Sequence, residues 1–211
     1  MPAHQRVVLP TPFVPTLPTP TPAAGPVPTV VDATEAIDRH GARTWIVTLR
    51  NDGPTPITRP GAVVRLRDAA GALIGERRTW AHRTTLEPGE STGALLNWTG
   101  APEHDRSELL GDRGPGMAAP QRLLTARLTS AATADPLTVE LCNPHPEPAH
   151  HLHLLALAHD NNGAPAAWAD RYPTPDPLPP AACHTFSLPT TAYRAAEPAR
   201  WTLWALASPA P

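Results

Sequence analysis

A strand–turn–strand pattern occurs twice in this chain at a fixed separation of 92 residues, and this repeat constrains the fold more than any other feature. At that shift Val47, Leu49, Asn51, Pro54, Pro56, Asp68, Gly71 and Ala72 meet Val139, Leu141, Asn143, Pro146, Pro148, Asp160, Gly163 and Ala164. The register continues without a gap to Leu86 and Pro88, which meet Leu178 and Pro180. A pattern that returns after one domain length predicts two copies of one unit. Each copy has roughly 80–100 residues, enough to bury a core.

Side chains alternate within each copy. Trp45, Val47 and Leu49 point one way and Thr48 and Arg50 the other; Val64 and Leu66 alternate with Arg65 and Arg67. A period of two belongs to half-buried β-strands. Asp68–Gly71 reads as a hairpin turn with Gly71 in the left-handed position. In Leu86-Glu87-Pro88-Gly89-Glu90, Pro and Gly stand where a type II turn needs them. The 30 prolines exclude a helical protein. Strands are expected over 30–34, 43–50, 62–67, 72–80 and 92–98, and again over 137–142, 152–159, 167–172, 183–188 and 201–207.

Three segments fall outside the simple repeat. Residues 1–28 are Pro/Thr-rich, which predicts an extended or disordered arm. Residues 100–119 show no regular period and read as a surface insertion, about 14 residues longer than the matching stretch of copy two. Pro120, Arg122, Leu128 and Ser130 match Pro198, Arg200, Leu206 and Ser208 at a shift of 78, so 122–129 is expected to close the first copy. The expected domains are therefore 29–131 and 132–211.

The net charge of −2 gives no general attraction to nucleic acid or to an anionic membrane. No apolar run approaches the ~18 residues that span a bilayer, and the first residues lack an apolar signal core. The protein is thus expected to be cytoplasmic, or to draw on a signal or anchor outside this sequence.

The Leu66-Arg67-Asp68-Ala69-Ala70-Gly71 turn followed by Leu86-Glu87-Pro88-Gly89-Glu90 resembles the bacterial FxLYD-type and CARDB-like immunoglobulin-like domains. Arg67 stands where that family has Tyr, and the second copy diverges further, with Ala158-His159-Asp160 and Leu178-Pro179-Pro180-Ala181-Ala182. The resemblance implies two tandem immunoglobulin-like β-sandwich domains in an envelope or extracellular protein. It carries no catalytic residues. Turn chemistry specifies fold and says little of function.

Candidate sites are few. No GxSxG, HExxH or Gly-rich phosphate loop is present, so no enzyme, catalytic residue or cofactor is expected. The second copy is rich in histidine. On a strand His151, His153 and His159 share parity, which makes them an alternative metal set, although no acid or thiol completes the site and solvent-facing histidines are the default. Aligned to Val64 and Leu66, the inward residues of the same strand are Ala156 and Ala158. Leu155 and Leu157 then face outward, as a surface covered by the other domain, the arm or a partner; a flipped register that makes them core is the other reading. Cys142 and Cys183 align to Arg50 and Ser91, outward positions on strands that neighbour one another in a sandwich of this type. A disulfide and two free thiols both fit. The expected role is a non-enzymatic structural, adhesive or protein-binding module within a larger assembly, with a protein partner or self-assembly. The alternative is a small-ligand or metal-binding protein using the histidine-rich strand.

Overall fold

The computed structural model is all-β, and the structure describes residues 25–37, 42–116, 120–163, 165–174, 176–192 and 197–208. The proposed arm over 1–28 lies outside the described residues up to position 24. No helix among the described residues is long and apolar enough to cross a membrane.

The first half contains β1 (Thr29–Ile37), β2 (Arg43–Arg50), β3 (Ile57–Thr58), β4 (Pro60–Arg67), β5 (Leu73–Trp80), β6 (Thr85–Leu86), β7 (Ser91–Trp98) and β8 (Arg106–Arg113). The second contains β9 (Arg122–Leu123), β10 (Thr125–Leu128), β11 (Leu137–Cys142), β12 (His150–His159), β13 (Pro165–Arg171), β14 (Cys183–Leu188), β15 (Thr191–Ala192) and β16 (Arg200–Ser208). Sheet β1-β2-β7 faces sheet β5-β4-β8, and β10-β11-β14 faces β15-β13-β12-β16-β9; β3 and β6 form a short separate pair. All these pairings are antiparallel.

Alternation puts one face of each sheet into a core. Trp45, Val47 and Leu49 of β2 pack with Ala62, Val64 and Leu66 of β4 and with Ala94, Leu96 and Trp98 of β7. In the second half Leu137, Val139 and Leu141 pack with Leu152, Leu154 and Ala156, together with Phe186, Leu188, Ala205 and Ala207. Burial of such side chains contributes about 1.5–3 kcal/mol each and is the main force holding either half together.

The 92-residue shift reappears in the pairing. Leu49 opposes Thr92 as Leu141 opposes His184; Val64 opposes Arg77 as Ala156 opposes Ala169. Ile57–Leu86 recurs as the Ala149–Leu178 bridge. A buried asparagine ties each copy. Asn51 Nδ2 donates to the carbonyls of Thr55 and Leu86 while Oδ1 accepts from Gly53 N–H. Asn143 repeats this with Glu147, Leu178 and His145. Side-chain amides are used here because the chain leaves the strand and exposes backbone groups that need partners inside the protein.

Two expectations of organisation are corrected. The stretch 100–119 is not an unstructured insertion: it contains β8, which pairs along β4 from Pro60–Arg113 to Arg67–Arg106. Its period is hidden because Leu109 packs on the core while Glu108 and Asp112 carry ion pairs to Arg67 and Arg78. Nor do residues 122–129 close the first copy. β10 pairs with β11 and β9 with β16, so strand pairing passes to the second half between β8 and β9 rather than after residue 131. The counterpart of β16 is β8: Arg67 opposes Arg106 as His159 opposes Arg200. The match at a shift of 78 joins strands that occupy different places in the two copies.

Candidate binding cleft between the two halves

The two halves meet through their outward faces. On β7, Ala94 and Leu96 face the first core, so Gly93 faces away. A Cβ at Gly93 would lie 2.6 Å from Leu155 Cδ2 and 3.2 Å from the Trp204 ring, so glycine lets the second half come this close and a side chain there would have to push Leu155 aside. On β12, Leu154 and Ala156 belong to the second core, while Leu155 and Leu157 lie on the other face and are only 4% and 1% exposed. Of the covers expected at these leucines, the structure shows the other half of the chain at Leu155, and the chain itself buries both. Outward leucines on a strand signal a covered face, but spacing alone does not say what covers it.

Beside this contact stands a ladder of rings. His82 is anchored where its N–H donates to Gly93 O (2.8 Å) and its carbonyl accepts from Gln121 Nε2 (3.3 Å). Gln121 Oε1 also accepts from Thr84 N–H at 2.7 Å, so this amide is fixed at both ends. The His82 ring lies 4.1 Å from the His153 ring, tilted by 55°, and His153 stacks on Tyr172 at 4.5 Å and 10°. His153 Nε2 is 2.5 Å from Asp170 Oδ1.

His82 is buried, and neither ring nitrogen makes a hydrogen bond of normal geometry. Burial first, and then the charge of His153, push its pKa down to about 3; Asp170 and the carbonyls of Trp204 and His153 act against this. Burial pulls Asp170 upward, but the His153 hydrogen bond and the charges of His153, His82 and Arg171 outweigh it and hold the carboxyl below its ordinary value. At neutral pH the ladder thus holds a neutral His82 and an ionised Asp170. Around it opens a cleft of about 250 Å³ with walls from both halves, including Trp80, Gln121, His153, Leu155 and Asp170.

The three histidines offered as a metal set do not converge. A bulge between His150 and His153 breaks their shared parity, leaving His151 exposed at φ 50° with its N–H on Asp176. His153 turns to Asp170, and His159 lies 3.7 Å from Asp32. Six residues of extended strand separate His153 from His159, roughly 20 Å. Among the described residues no three His, Cys, Asp or Glu side chains are placed to hold a metal ion. Cys142 and Cys183 are directly opposed on β11 and β14 and form a disulfide with an S–S distance of 2.01 Å. Of the acids near the start of the first half, Glu35 pairs with Arg43 and His104, while Asp38 lies outside the described residues. Of the two exposed aromatics among the described residues, Trp80 lines the cleft and Tyr172 ends the ladder.

A family model, a domain of unknown function (DUF4232), matches residues 27–153, more than half of the chain. The chain belongs to this family. No curated protein matches it. The DUF4232 segment covers the first half, continues through β11 and ends within β12 at His153. It includes Trp80, His82, Gly93, Gln121 and His153 but not Leu155 or Asp170, so the match covers most of the cleft lining and leaves out part of the wall from β12 and β13. His82 had no sequence signal, because it lies between strands where no period applies. Gly93 did have one: a lone glycine at the centre of a strand marks close approach.

Proposed function

We propose that the protein is a non-enzymatic binding module of the bacterial envelope or extracellular space, built from two immunoglobulin-like β-sandwiches of the FxLYD or CARDB-like kind held as one unit. The Gly93–Leu155–Trp204 contact carries this reading. Flexibly strung spacer domains need no such fit, whereas a composite cleft requires its two walls to be held in register. Two facing sheets around each core support the sandwich architecture. The Cys142–Cys183 disulfide supports an oxidising compartment. A small ligand in the cleft is favoured over a metal on the histidine-rich strand, because His151, His153 and His159 point to three different places.

Fractionation of the native host with thiol trapping tests the location: the protein is expected in the envelope or secreted fraction with both cysteines oxidised. A cytoplasmic pool with free thiols sinks that part of the proposal. Small-angle scattering tests the unit itself. Wild type is expected to behave as one rigid body, and Gly93→Trp to expand it by forcing the walls apart. A wild type already as extended as this variant refutes the fixed arrangement.

A further inference from the structure

The cleft between the halves offers an amphipathic surface of defined character. Trp80 is 41% exposed and lines it. One part of the Trp80 ring lies close to Gly61 and Gly114, and the Arg59 guanidinium sits 5.8 Å from its centroid, so the indole is held in place. Leu155 and Leu95 add apolar wall. Asp170 lines the same cleft, accepts from His153 at Oδ1 and has Oδ2 as a further acceptor. No arginine lines the cleft among the described residues. At about 250 Å³ the space is below the range of drug-sized sites.

These features select against most ligand classes. An anion finds no cationic side chain there and meets a carboxylate. An organic cation finds a carboxylate already paired with His153, and the Arg59 guanidinium beside Trp80 repels it, whereas a neutral ring is not repelled. A purely apolar ligand would take Asp170 Oδ2 away from water without giving it a donor, at a desolvation cost that the His153 bond at Oδ1 does not offset. What remains is a compact ring with one apolar face and hydroxyl donors on its rim. Resting on the binding-module reading above, we infer that this cleft is a carbohydrate subsite that seats one neutral pyranose unit, its C–H face on Trp80 and its hydroxyls donating to Asp170. Gln121 and His153 are already fixed by their own hydrogen bonds and stacking, so the walls are set before the ligand arrives.

The test uses the full chain in saturation-transfer NMR and calorimetric titration with methyl α-mannopyranoside, methyl β-glucopyranoside and methyl β-galactopyranoside. Tetramethylammonium serves as the rival probe. At least one pyranoside is expected to bind, with transfer strongest at its C–H face. Trp80→Ala and Asp170→Asn are each expected to weaken it by about tenfold, the loss of one charge-assisted hydrogen bond or its equivalent in ring contact. Asp170→Asn preserves shape, so it decides the matter if Trp80→Ala fails to fold. Absence of transfer from all three pyranosides, preference for tetramethylammonium, or binding indifferent to both substitutions overturns the inference. None of these outcomes alters the cysteine state or the scattering profile, which test the module reading separately.

Discussion

The two halves share a strand plan and differ in what they do with the outward face of one equivalent strand. On β4 that face carries Gly61, Val63, Arg65 and Arg67, with Arg65 paired to Glu76 and Arg67 to Glu108. On β12 the same positions are His153, Leu155, Leu157 and His159, both leucines are buried, and Leu155 packs against Gly93 of the first half. One copy presents charge to solvent; the other has exchanged charge for apolar and imidazole groups that dock its neighbour. A repeat can therefore keep its core while its outer face is rebuilt as an interface. The core constrains one parity of each strand and leaves the other free.

The largest expected difference between the halves comes from the disulfide. Cys142 and Cys183 enclose a sequence separation of 41, and the first half has Arg50 and Ser91 at those places. Replacing both cysteines by alanine is expected to cost about 4 kcal/mol by the chain-entropy model, read as a denaturation midpoint. A loss confined to the second half, seen by hydrogen exchange, marks the halves as separate folding units. An equal loss in both shows that the interface couples them.

The buried asparagines should cost less and should cost the same in each copy. Asn51→Ala removes three hydrogen bonds to backbone groups and Asn143→Ala removes four, of which the Leu178 and Pro179 carbonyls keep the N–H groups of Ala149 and Ala182; each loss is expected to cost roughly 3 kcal/mol. A clearly smaller loss at Asn143 would show that the second copy has replaced the tie with its disulfide.

Acid should act on the interface through His82. Its pKa is about 3 in the folded protein against an ordinary 6.5, so the unfolded chain binds the proton first as pH falls. The stabilisation is complete above pH 6.5 and is lost towards pH 3, at roughly 1.4 kcal/mol per pH unit across that window. Asp170, held low, adds a loss of the same sign at still lower pH. His82→Phe should flatten the slope in urea melts taken between pH 4.5 and 7.5; an unchanged slope would place the titration elsewhere.

The smallest effect lies in the Leu-Glu-Pro-Gly-Glu turn. Gly89 has φ 79°, and its counterpart Ala181 is held at φ 53°, where a Cβ is strained. Ala181→Gly should stabilise the second half, and Gly89→Ala destabilise the first, each by about 1 kcal/mol. Thermal melts of the two variants should move in opposite directions.

Much of the strand plan was legible because backbone physics is local. Alternation over Trp45–Leu49 and Val64–Leu66, Gly71 at its left-handed turn, and the spacing of Asn51 and Asn143 follow from residues near one another in the chain. β8 was not legible, because its charged face pairs with Arg67 and Arg78, residues that no local window contains. The shift-78 match failed for the same reason: an apolar strand fits many places, and only its hydrogen-bonded neighbours decide which. Spacing likewise put His151, His153 and His159 on one face, until a bulge turned His151 away and the strand's length kept His153 from His159.

By itself, then, the sequence determined an all-β chain, a 92-residue repeat and which parity is buried on strands such as β2 and β4. Only the tertiary structure decided that the outward Leu155 meets Gly93, that the two cysteines are bonded, and that His82, His153 and Asp170 gather around one cleft. Those choices depend on groups far apart in sequence approaching within a few ångströms, and a one-dimensional pattern does not encode how two finished surfaces fit.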